Sequence, residues 1–154
     1  MFRSILLIIL LTLTLSCGYE PMHSKNKLKN TNFSISKINF EGDAEINIEI
    51  NEKLNRYKLD KKDKDLVLKI KSISTKNVAA KDSKGDPSIF NLTIKVVTQV
   101  TTVNNIKREI QFDENFKYDN IKDRFELKKY EKEIKIILAE TITNNLIFKL
   151  SNLK

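Results

Sequence analysis

Phe90-Asn91-Leu92-Thr93-Ile94-Lys95-Val96-Val97-Thr98-Gln99-Val100 is the stretch that decides the fold. Phe90, Leu92, Ile94, Val96 and Val100 recur with period two between mostly polar residues, the pattern of a strand with one face on a core and the other in water. Downstream, Asn104-Asn105 can adopt the left-handed conformations of a tight turn, and Ile110, Phe112, Phe116 and Tyr118 alternate after it. The two runs predict an antiparallel hairpin. Upstream, Leu66, Leu68 and Ile70 alternate with Lys69 and Lys71, a third strand of the same kind. Between them, Ala79 to Ser88 contains Gly85-Asp86-Pro87 and reads as a loop of about ten residues.

Helices flank these strands. From Asp123 onward there is neither Gly nor Pro, and Leu127, Tyr130, Ile134, Leu138, Ile142, Leu146 and Leu150 are spaced by three or four, one apolar seam of a long helix. Ile46, Ile50, Leu54 and Tyr57 make a shorter stripe behind Asp43, a fitting N-cap. Ile48 lies off that stripe, so a strand is the alternative there; the spacing favours helix. Phe33, Ile35, Ile38 and Phe40 predict a first strand whose alternation changes phase between Ile35 and Ile38, as at a bulge. The predicted fold is α+β, in the order β-α-β-β-β-α. Two helices packed on one face of a four-stranded, mostly antiparallel sheet form a two-layer sandwich that buries every stripe named.

The start of the chain has a different character. Arg3 precedes an uncharged apolar core from Ile5 to Leu15, the size of a secretory h-region and too short for a bilayer-spanning helix of about 20 residues. Leu13-Thr14-Leu15-Ser16-Cys17 looks like a bacterial lipobox, with Ser16 as the small residue before the cysteine and Leu15 one place from the usual leucine. Cys17 is the chain's single cysteine, so it forms no internal disulfide, and lipid attachment explains an unpaired thiol in an exported chain. Two or three acyl chains hold a protein firmly where one does not. Gly18 in place of an Asp leans toward the outer membrane. Residues 17–32 then read as the lipidated Cys and a polar tether with Lys25, Lys27 and Lys29, and 33–152 as one α/β domain.

Composition narrows the function. Removing the first 16 of 154 residues leaves 138, room for one modest core, and loss of Arg3 lowers the net charge from +8 to +7. The excess is nearly all lysine, which suits a solvated surface or a negatively charged partner. His23, the single histidine, lies in the tether, and Gly18, Gly42 and Gly85 are too far apart for a phosphate loop. The expectation is therefore no enzyme, no metal and no cofactor. Export argues against nucleic acid, as does the small number of arginines.

Cys17-Gly18-Tyr19-Glu20-Pro21-Met22-His23 resembles the mature start of the LPS-assembly lipoproteins, the LptE family, of alphaproteobacterial type, where Leu and Tyr are common in place of Met22 and His23. Tyr118-Asp119-Asn120 and Leu138-Ala139-Glu140-x-Ile142-x-x-x-Leu146 look like features of the same family. The resemblance implies an outer-membrane lipoprotein, lipid-anchored at the periplasmic face, that plugs and helps assemble an LptD-like β-barrel and supports lipopolysaccharide transport. It implies lipopolysaccharide contacts at Lys81 and Lys84, in the loop between the second and third strands, and at Lys128 early in the last helix. Asp86 stands near a position where some relatives carry an Arg. The alternative is a periplasm-facing lipoprotein that binds a solute in an apolar pocket or scaffolds the envelope.

Overall fold

A computed structural model describes residues 31–153, apart from 59, 60, 63 and 103. The expected signal peptide, Cys17, His23 and nearly all of the tether lie outside the described residues. Strand β1 (Phe33–Gly42) leads into helix α1 (Ala44–Asn55) and a 3-10 turn (Arg56–Lys58). Strands β2 (Lys64–Lys81), β3 (Pro87–Thr102) and β4 (Lys107–Asp119) follow, then helix α2 (Arg124–Ser151). The sheet order is β1-β2-β3-β4. β1 runs parallel to β2, with α1 as the crossover that parallel neighbours need, and the other pairs are antiparallel. The predicted element order and α+β class hold.

Local chemistry explains the boundaries. Gly42 ends β1 with φ +98°, close against the backbone of Ser72, and turns the chain toward α1. Asp43 caps α1 by accepting from the N–H groups of Glu45 and Ile46. Asp123 caps α2 in the same way through Phe125 and Glu126. Each cap satisfies donors that the first helical turn leaves unpaired. The expected phase change in β1 is a register shift between Ile35 and Lys37. Asn105, at φ 59°, supplies the left-handed residue of the β3–β4 turn.

The core lies between the sheet and the two helices. Ile46, Ile50 and Leu54 of α1 and Ile134, Leu138, Ile142, Leu146 and Leu150 of α2 are buried against Leu66, Leu68, Ile70, Ile94, Val96 and Val100 of the sheet. Ile48, off the stripe, is exposed, which settles the helix reading of that segment.

Two expectations change. The connection between β2 and β3 is a turn over residues 82–86, not a loop from Ala79 to Ser88, because the two strands continue pairing as far as Lys81 and Pro87. The Asp82 carboxylate accepts from the N–H groups of Lys84 and Asp86, which closes the turn without further residues. Lys81 therefore ends a strand, while Lys84 stays in the turn. The helices also do not bury every stripe: on β4, Tyr118 is buried, Ile110 and Phe112 are half-buried, and Phe116 is 44% exposed.

Pairing of β1 with β2 ends at Gly42 and Ser72. Beyond Ser72, β2 and β3 continue as a hairpin about 30 Å long. Among the described residues, no strand pairs with the outer edge of β2 from Ile73 to Lys81.

Candidate functional site

The domain has two distinct ends. Phe33 pairs with Lys64 at one of them, so the chain enters the domain there, beside the C-terminus of α2. The β2–β3 turn and the start of α2 lie at the other, joined by Asn120, whose N–H donates to Ser88 O at 2.8 Å and whose Nδ2 donates to Pro87 O at 2.8 Å. Asn120 thus ties the approach to α2 to the base of the hairpin tip.

Near the start of α2 is a cleft of about 540 Å³ lined by Glu45, Phe125, Lys128, Lys129, Glu131, Lys132 and Lys135. Lys135 donates to Asp43 Oδ2 at 3.1 Å and Glu45 Oε2 at 3.0 Å. Burial works against its charge, but the hydrogen bonds to Glu45 and Asp43 and their negative charges outweigh that, and its pKa stands above the ordinary lysine value. Glu131 is held by the Tyr118 hydroxyl and by Lys76. Lys76 Nζ also lies 3.8 Å from the centre of the Phe90 ring. Burial, followed by the hydrogen bond to Glu131 and that carboxylate's charge, pushes the Tyr118 pKa up.

These pairs hold the inner charges of the cleft in place. Lys128, Lys129 and Lys132 make no ion pair among the described residues, and Phe125 is 75% exposed beside them. The arrangement offers three cations without an ion pair and one apolar side chain to an anionic amphiphile.

Of the sequence-predicted contacts, Lys128 lines the cleft, while Lys81 and Lys84 sit at the hairpin tip and do not. All three belong to the same end of the domain. The sequence reading missed Phe125, Lys129, Lys132 and Lys135. The spacing of Phe125, Lys128, Lys132 and Lys135 by three or four was visible, but a charged helix face normally marks plain solvation. Cys17 lies outside the described residues.

No family model matches the sequence, and a search of curated proteins finds no similar one. Solved structures do match. Rare lipoprotein B from Shewanella oneidensis superposes with a TM-score of 0.56 at 14% identity, over 75% of this chain and 97% of that one. The fold is that of rare lipoprotein B. A minor lipoprotein from Acinetobacter baumannii is similar as well, with a TM-score of 0.54 at 14% identity over 75% of this chain and 90% of that one. The likeness to bacterial lipoproteins read from the sequence is thus met at the level of architecture.

Proposed function

We propose that this chain is a non-catalytic outer-membrane lipoprotein, anchored through Cys17, that plugs and helps assemble an LptD-type β-barrel and supports lipopolysaccharide transport. The observation that carries the reading is the rare lipoprotein B fold together with the placement it gives Lys81, Lys84 and Lys128, all at the end opposite the tether entry. A domain held by acyl chains on the Phe33 side leaves the end with these lysines free to enter a lumen, and a shared membrane raises its effective concentration at the barrel. The lysines there offer charge-assisted hydrogen bonds to the phosphates of lipid A.

The alternative, a solute binder, calls for an apolar pocket. The cleft at the start of α2, with Phe125 as its one apolar side chain among charged residues, is not such a pocket. The test is purification of the tagged chain from membranes in detergent. Recovery with a large outer-membrane β-barrel is expected, and recovery as a free monomer would overturn the proposal.

A further inference from the structure

The end where the tether joins is more basic than the rest of the fold requires. Arg56, Lys58, Lys61 and Lys62 lie in the connection between α1 and β2. Lys64 begins β2, Lys107 and Arg108 begin β4, and Lys149 lies in the last turn of α2. The contacts that place them together are on three sides. Phe33 pairs with Lys64, Lys64 Nζ donates to the Leu150 and Leu153 carbonyls, and Lys107 pairs with Thr101 of β3.

Among the described residues, none of these eight cations makes an ion pair, and the acids next to them in the chain are Asp65, Glu109 and, one turn before Arg56, Glu52. In sequence, Asp60 and Asp63 also fall in the α1–β2 connection, so the connection's own balance is four bases to two acids. Crowding leaves a trace at Lys64, whose pKa is lowered by burial and then by the Arg108 charge. A cluster of like charges raises the local potential and attracts counter-ions or an oppositely charged surface.

The opposite end is built differently. Residues 81–86 and 119–133 there carry seven bases, Lys128, Lys129 and Lys132 among them, interspersed with seven acids, so its charges balance. The basic end also exposes two large apolar side chains, Ile106 in the β3–β4 turn at 53% and Phe148 near the C-terminus of α2 at 68%. Cations around protruding apolar groups are what an anionic headgroup layer takes up.

We infer that this pole is a docking surface for anionic phospholipid headgroups. Its place supports that occupant: the chain enters the domain at Phe33, and only 14 residues lie between Cys17 and Asn32, so an anchored domain is confined near its leaflet with this end nearest the point of attachment. The inference takes from the proposed function only the anchoring at a bilayer. It concerns the domain outside a barrel and stands or falls apart from the plug.

The test uses the chain from residue 17 with Cys17→Ser, so that no acyl group contributes. Co-sedimentation is measured with vesicles of phosphatidylglycerol and phosphatidylethanolamine and with vesicles of phosphatidylcholine alone. Binding to the first and not the second, weakening as salt is raised, is expected. Each basic residue near an anionic surface strengthens binding roughly fivefold. Lys58→Glu with Lys61→Glu should therefore lower affinity by at least about tenfold, whereas Lys81→Glu with Lys84→Glu at the far tip should leave it unchanged. Lys107→Glu with Arg108→Glu is the second variant should the first lose its thermal transition. No binding to the anionic vesicles, equal binding to both, or equal losses from the two ends would overturn the inference.

Discussion

The Tyr118 hydroxyl donates a hydrogen bond of 2.8 Å to Glu131 Oε1, fastening the end of β4 to the second turn of α2. Tyr118→Phe removes the donor and leaves Glu131 to Lys76, so a loss of about 1–2 kcal/mol in chemical denaturation is expected. The folded protein raises the Tyr118 pKa, so folding favours the neutral phenol. Its contribution is complete below the unfolded value of about 10 and is lost as pH rises above it. Stability measured between pH 9 and 11 should fall less steeply in the variant than in the wild type. Equal slopes would show that the phenol does not gain from its surroundings.

Asp43 serves two elements at once, with Oδ1 on the N–H groups of Glu45 and Ile46 and Oδ2 on Lys135. Asp43→Ala should cost about 1–2 kcal/mol from the cap alone, and Asp43→Asn should recover most of it. A double-mutant cycle with Lys135→Met should give a coupling of about 0.5–1 kcal/mol. A coupling near zero would mean that the pair contributes no stability.

Gly42 and Gly85 both have positive φ, at 98° and 89°, yet their surroundings differ. A Cβ at Gly42 would lie 1.9 Å from the Ser72 carbonyl oxygen, whereas at Gly85 nothing is within 4 Å. Gly85→Ala should cost about 1 kcal/mol, the strain of the left-handed backbone. Gly42→Ala adds a collision with backbone and should cost on the order of 3 kcal/mol or more. Thermal unfolding of the two variants checks the order.

Much of the fold can be read before folding is considered. The seam from Ile134 to Leu150 and the alternation from Leu92 to Val100 are long enough for periodicity to leave one choice. The extent of β2 was less legible. Beyond Ser72 its residues face water on both sides, so alternation fades although backbone pairing continues to Lys81. Exposure of Phe116 was hidden for a related reason: a period marks which face a residue joins, not whether a helix reaches that far. The cleft needed Glu45 and Lys135, ninety positions apart, to meet through packing that no local pattern records.

Lys81→Glu, Lys84→Glu and Lys128→Glu together should reduce recovery of the barrel several-fold. Folding stability should stay within about 0.5 kcal/mol, since all three side chains are exposed. Unchanged recovery would remove these lysines from the interface.

Cys17→Ala should abolish incorporation of a fatty-acid analogue into the protein in growing cells. Undiminished labelling would refute attachment at that sulfur.

The overhang of β2 beyond Ser72 leaves a row of amide and carbonyl groups that another extended chain could zip onto. The molecule carries guards against this: register slips on either side of Ala80 kink the ribbon, and Lys76 and Lys81 set charges along the margin. Shaving those guards away, for instance with valine at both lysines, would turn a solitary prong into a seed for fibrillar stacking.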